Sequence, residues 1–313
     1  MLEVWAPDGV PEIGRGEDLV GVLLPLVELA DGDVVVVTSK VVSKAEGRVV
    51  EGDRERWIDA ETTRVVASRG PTRIVRNRLG LTMAAAGVDG SNVAAGAVVL
   101  LPEDPDASAR ALRRAIAERA GVDVGVVVTD TAGRTWRDGQ TDIAIGAAGL
   151  AVVESFEGRV DAHGNPLVVT APAVADEIAS AAELAQGKLA GRPFAVVRGR
   201  GDLVLPAGED GPGATALIRP DGADMFGYGA REAVVRALVG DPGDAVPFGS
   251  PAAAADLATA LAAIGAAPSA VGDAEMTCPD ERGDAVRAVA FAHGWQVQVS
   301  AGGAGLRLRP HTP

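Results

Sequence analysis

Apolar positions fall in short continuous runs separated by stretches of helical spacing. Residues 34–37 are four consecutive valines, the pattern of a strand buried on both faces, and the apolar-rich segment 17–29 before them predicts a helix. Residues 97–101 predict a second strand. Asp104-Pro105-Asp106 then supplies acidic and proline helix-start signals, residues 108–119 have helical character, and Gly121 stops them. Residues 124–128 predict a third buried strand. Strands at 167–170 and 194–197 flank a helix at 173–185. This alternation predicts α/β layering with strands covered on both faces, and it carries no strand order.

Residues 201–213 are a loop rich in Gly, Pro and acid, and 241–247 has the composition of a boundary. Beyond it, the alanine-rich segment 251–264 and residues 280–292 predict helices, and short strands are expected near 296–299 and 306–308. The expected organisation is a main domain at 1–245 and a small C-terminal α+β appendage at 246–313. No internal repeat stands out.

Composition narrows the function classes. At 313 residues, 47% hydrophobic and 23% charged, the chain has the mix of a globular protein, and only 3% aromatics leave Val, Leu, Ile and Ala to build the core. A net charge of -14 argues against nucleic acid and against an anionic membrane surface as partners. One cysteine, Cys278, makes no internal disulfide. No segment approaches the roughly 20 apolar residues of a membrane span, and the first residues lack a basic region followed by an apolar run, so no signal peptide and a cytoplasmic setting are expected. His163, His293 and His311 have no ligand spacing.

Of 29 basic residues only three are lysine: Lys40, Lys44 and Lys188. Where arginine serves everywhere else, the surviving lysines are candidates for sites needing a compact ammonium. Two lie in Thr38-Ser39-Lys40-Val41-Val42-Ser43-Lys44-Ala45-Glu46-Gly47-Arg48, expected as a loop after the first valine strand. It is either a solvated basic loop or a polyphosphate site, and it is not a Walker A loop. Gly87-Val88-Asp89-Gly90-Ser91-Asn92 is by itself an ordinary turn sequence. Thr129-Asp130-Thr131-Ala132-Gly133-Arg134-Thr135-Trp136-Arg137-Asp138-Gly139-Gln140-Thr141-Asp142 follows the third strand, with an acid at its end and two arginines. Asp89 and Asp130 are hard oxygen donors that suit Mg²⁺ or Mn²⁺. Gln186-Gly187-Lys188 has the form of a helix end stopped by glycine.

Together these segments, with Pro11-Glu12-Ile13-Gly14, resemble the coenzyme F420-0:γ-glutamyl ligase family over about residues 7–240. The resemblance implies a distinctive α/β ligase fold, an intertwined homodimer, GTP as nucleotide and Mn²⁺ or Mg²⁺ as metal. It implies that Pro11, Glu12, Ile13, Gly14, Ser39, Lys40, Lys44 and Asn92 touch GTP. Asp89 and Asp130 would share one metal and Thr131 would lie at a second. Gln186, Gly187 and Lys188 would lie near the nucleotide and the second metal. The expected catalytic set is Lys44, Asp130 and Arg134. GTP would convert the terminal carboxylate of coenzyme F420-0 to an acyl phosphate for attack by the amine of L-glutamate. Longer relatives carry a flavin-binding half. The roughly 70 residues after the boundary are too few for one, so no FMN activity is expected. Two alternatives stay open: a nucleotide- and metal-dependent amide ligase acting on another phosphorylated carboxylate, and a GTP-binding module without turnover.

Overall fold

The computed structural model describes residues 1–224, 226–268, 270–271, 275–279, 282–300 and 305–311. The chain divides into two compact units, one of Met1–Arg64 with Val75–Ile218, the other of Val65–Ile74 with Arg219–Pro313.

The first unit contains strands β1 (Glu3–Trp5), β2 (Val34–Thr38) and β3 (Val49–Glu51), with helices α1 (Leu19–Leu23), α2 (Ser39–Ala45) and α3 (Arg54–Glu61) between and after them. The hairpin β4 (Thr62–Arg69) and β5 (Thr72–Asn77) leaves this unit at Arg64 and returns at Val75. Then follow β6 (Thr82–Ala84), β7 (Ala97–Val99), α4 (Pro105–Ala120), β8 (Gly125–Arg134), β9 (Arg137–Ala148), the short β10 (Arg159–Val160) and β11 (Pro166–Leu167), α5 (Val174–Gln186) and β12 (Phe194–Arg198).

Its main sheet has the order β1-β12-β2-β8-β9. Only β2 and β8 run parallel; the other neighbours are antiparallel. The valine run behaves as its pattern dictates. Val35 and Val37 join Val126, Val128 and Phe194 in a core shared with α1 and α4, while Val34, Val36 and Val127 join the core shared with α5. Helices thus cover both faces, the mixed α/β layering expected. Burying each such valine stabilises the fold by about 1.5–3 kcal/mol.

Helix α4 is set by local signals. Asp104 accepts the Ala107 amide at 2.9 Å, Pro105 occupies the first turn, and Gly121 closes the helix at φ 70°. It packs so tightly on β9 that a Cβ on Gly146 would lie 2.3 Å from the Pro105 carbonyl oxygen.

Four expectations change. The helix expected over 17–29 is only α1, because Pro25 cannot continue it. The lysine loop is the helix α2, free of Gly and Pro until Gly47. The strand expected over 97–101 is only β7, Ala97–Val99, which pairs with β3 outside the main sheet. The run 167–170 is strand only at β11, and Val168 and Val169 are exposed, since flanking Pro166 and Pro172 remove ladder donors.

The second unit contains α6 (Ala230–Val239), α7 (Ala254–Ala263), β13 (Ala270–Val271), β14 (Met276–Cys278), α8 (Gly283–Ala292), β15 (Trp295–Val299) and β16 (Leu306–Pro310). Its antiparallel sheet has the order β13-β14-β16-β15. Leu257, Leu261, Val286, Trp295, Leu306 and Leu308 form its core, and Cys278 is buried there, its thiol donating to the Ala266 carbonyl. The expected start of the last helix at Asp280 falls outside the described residues.

Candidate active site

The site is built where β2, the parallel neighbour of β8 in the main sheet, ends at Thr38 opposite Thr129. After β2 the chain turns directly into α2. On this helix Lys40 and Lys44 are four residues apart and share a face. Strand β8 does not end at the valines as expected. It continues through Thr129-Asp130-Thr131 and pairs with β9 to Arg134. The motif expected to follow the strand is therefore part of a hairpin, and the period of a strand sends Asp130 and Thr131 to opposite faces.

Asp130 faces α2, where the Ser39 hydroxyl donates to Oδ1 at 3.1 Å. The residue keeps some accessible surface, but its carboxyl is closely surrounded by protein. Burial pushes that carboxyl up to about 7; the Ser39 hydrogen bond opposes the shift, and the charges of Asp142 and Asp89 add to it.

Asp89 comes from the loop after β6. It is anchored by two reciprocal backbone hydrogen bonds with Val99, at 3.0 and 2.8 Å. The approach to it passes through Ala85 (φ 53°) and Ala86 (φ 56°), both left-handed, a conformation that costs an L-residue about 1–2 kcal/mol. Asp89 Oδ2 pairs with Lys40 Nζ at 2.7 Å, and the Ser91 amide donates to Oδ1 at 2.7 Å. Burial raises the Asp89 carboxyl, but Lys40 and Ser91 outweigh it and hold the group below its usual value.

On the other face, Thr131 Oγ1 receives Lys188 Nζ at 2.6 Å. Lys188 follows Gly187, which closes α5 with φ 64° and ψ 140°, a conformation that favours glycine. Gln186 ends α5 with its side-chain nitrogen buried and unpartnered.

A cavity of about 290 Å³ is lined by Glu12, Ile13, Gly14, Lys44 and Asn92, together with Arg15, Gly47, Val49, Val93 and Ala94. Five of the residues expected at the nucleotide thus meet in one concavity. The Lys44 side chain is only 10% exposed, and its partner Glu12 is 83% exposed. Asn92 takes φ 56°, which Asn tolerates better than most residues.

Two expected residues stand apart. Pro11 does not line this cavity, and Arg134 is exposed at the hairpin end, donating to the Asp138 carbonyl at 2.8 Å. Sequence reasoning missed Ser91, Asp142 and Glu183. Asp142 pairs with Thr131 across the hairpin, and Glu183 accepts Lys188 at 3.2 Å. The signal available for Asp142 was Thr129-x-Thr131, two hydroxyls on one strand face.

Among the described residues, no three His, Cys, Asp or Glu side chains form a metal cluster. Asp89 and Asp130 with neighbouring hydroxyls make an oxygen donor set that suits a hard divalent cation retaining several waters. No helix among the described residues is long and apolar enough to cross a membrane.

The model of the F420-0:gamma-glutamyl ligase family matches residues 9–56 and 55–199. Similar proteins include the coenzyme F420:L-glutamate ligase of Archaeoglobus fulgidus, 39% identical over 220 residues, 63% of this chain and 88% of that protein. The same-named enzyme of Methanopyrus kandleri is 40% identical over 239 residues, 69% of this chain and 93% of that protein. That of Haloarcula marismortui is 37% identical over 223 residues, 63% and 87% respectively.

Proposed function

The chain belongs to the F420-0:gamma-glutamyl ligase family, and from that premise we propose that it joins L-glutamate to coenzyme F420-0 at the cost of GTP. The observation that carries the reading is the convergence at one sheet end of a lysine-lined cavity and a pair of aspartates. The largely buried Lys44 has a solvent-exposed carboxylate as partner, so a phosphate can take the place of Glu12 without stranding the ammonium.

The residues fit a divalent cation. Asp130 is a desolvated carboxylate beside the charges of Asp89 and Asp142, and a cation between Asp89 and Asp130 would relieve that repulsion. Asp89 and Asp130 would hold one Mg²⁺ or Mn²⁺, with Thr131 and Gln186 beside a second. When bound, such ions neutralise charge on the phosphoryl group being transferred.

The chain's own residues divide the remaining work. Glu12, Ile13, Gly14, Lys44 and Asn92 bound the nucleotide cavity; Lys44 meets the phosphates there, and Lys40 meets them from beside Asp89. Lys188 reaches the same strand end from the other face, where it can attract an anionic acceptor. The carboxylate of coenzyme F420-0 attacks the γ-phosphorus of GTP, releasing GDP and leaving an acyl phosphate. The amine of L-glutamate then attacks the acyl carbon, expels phosphate and loses a proton to solvent. Arg134, on the hairpin end, is proposed to act on bound substrate. The homodimer implied by the family and the cytoplasmic setting expected from the sequence belong to the same reading.

Mass spectrometry of the purified protein with coenzyme F420-0, L-glutamate, GTP and Mn²⁺ tests it. Products heavier by one or more glutamyl units, formed only with GTP and metal, are expected. GTP binding without product would move the assignment to another phosphorylated carboxylate or to a module without turnover.

A further inference from the structure

We propose that Asp142 is a positioning residue that fixes the hydroxyl of Thr131 as an outward-facing oxygen acceptor for a divalent cation. The proposal rests on the reading above that Thr131 lies at a metal. Asp142 is 5% exposed, and each of its carboxylate oxygens takes a hydroxyl proton from β8. Thr131 Oγ1 donates to Oδ1 at 2.7 Å, and Thr129 Oγ1 donates to Oδ2 at 3.0 Å.

The aspartate is itself held. Its amide donates to Glu183 Oε2 at 3.2 Å, and its carbonyl accepts the Ser180 hydroxyl at 3.0 Å. Both partners lie on α5. The carboxylate is therefore fixed by the sheet on one side and a helix on the other.

A hydroxyl has one proton and two lone pairs. With the proton committed to Asp142, Thr131 can only accept from any other neighbour. It does so already: the Lys188 ammonium donates to it at 2.6 Å, so the oxygen is presenting electron density to a cation. Thr129 makes the same bond to Asp142 but is fully buried, so its oxygen braces the carboxylate and reaches no ligand. An amide in place of the carboxylate can accept from only one of the two hydroxyls at its single oxygen. The other hydroxyl would face an N–H and turn its proton outward, against an approaching cation.

The test is Mn²⁺ binding followed by electron paramagnetic resonance in the presence of GTP, with thermal unfolding as a check on folding. Asp142→Asn should weaken Mn²⁺ binding by about 10- to 100-fold, the range found for groups that orient metal ligands. Thr131→Val should weaken it comparably, and Thr131→Ser, which keeps the hydroxyl, should restore it. Asp142→Asn in the Thr131→Val background should add no further loss, because the aspartate acts through that hydroxyl. If Asp142→Asn fails to fold, Asp142→Ala, which removes the acceptor without adding a donor, carries the same comparison. Wild-type Mn²⁺ affinity in a folded Asp142 variant, or losses that multiply in the double variant, would overturn the proposal and leave the metal reading standing. No Mn²⁺ binding by the wild-type protein would instead overturn the metal reading beneath it.

Discussion

Asp89 and Asp130 approach the same place in opposite ways. Asp89 arrives on a loop, its side chain 46% exposed, already neutralised by Lys40 and held ionised. Asp130 arrives on a strand, is desolvated, has one hydroxyl as side-chain partner, and lies beside two other acids. A charge on a rigid, desolvated wall is costly until something positive meets it, whereas the loop aspartate has its counter-ion from the start. The contrast explains how a site can be strained without ligand and at rest with one.

The largest test of that contrast is Asp130→Asn. Turnover should fall at least ~100-fold with the circular dichroism spectrum unchanged, since a carboxamide holds a divalent cation poorly. Undiminished turnover would remove the strand aspartate from the chemistry.

The next largest effect is on stability. Unfolded, the Asp130 carboxyl titrates near 3.8; folded, near 7. Between those values the folded state keeps a proton that the unfolded state has released. Stability of the metal-free protein should therefore fall as pH rises from about 4 to 7 and level off above, by an amount on the order of 4 kcal/mol. Urea melts in chelator across this range, for wild type and Asp130→Asn, isolate the term by difference. The variant should show a shallower decline and be the more stable protein at pH 8. Parallel curves would show that the strand carboxylate is not strained.

Lys44→Arg is smaller in effect: a planar fork replaces a point charge in a nearly enclosed position, and a loss of about tenfold in GTP affinity or rate is expected by calorimetry or assay. An unchanged affinity and rate would mean that the scarcity of lysine carries no functional meaning. Smallest of all, Ala85→Gly should relieve a left-handed alanine on the way to Asp89 and raise stability by about 0.5 kcal/mol, read as a higher melting temperature. A lower one would show that the methyl group matters more than the backbone.

What the sequence reveals here follows the range of the forces involved. The buried valine strands and the caps of α4 are local signals, and they hold. The lysine segment as a helix, and the continuation of β8 past its valines, depend on packing partners elsewhere in the chain. The Thr131–Asp142 pair depends on the register of a hairpin, which residue types alone do not give. Val168 and Val169 show the reverse failure: an apolar run predicts burial only where a neighbouring strand exists to cover it. The motifs legible as chemistry were those in which several unusual residues fall close together, and they converge on one end of one sheet. Arg134 carried the same kind of signal and lies at the exposed hairpin end.

Helix α2 also acts as a gauge. Four residues of α-helix advance about 6 Å and return to nearly the same bearing, so Lys40 and Lys44 present two ammonium groups at a fixed interval, one toward Asp89 and one toward Glu12. That interval is a property of the backbone and is insensitive to which residues fill the positions between. It is sensitive to their number. Adding or removing one residue between the lysines would swing one ammonium about 100° around the axis. The segment can therefore drift in composition but not in length.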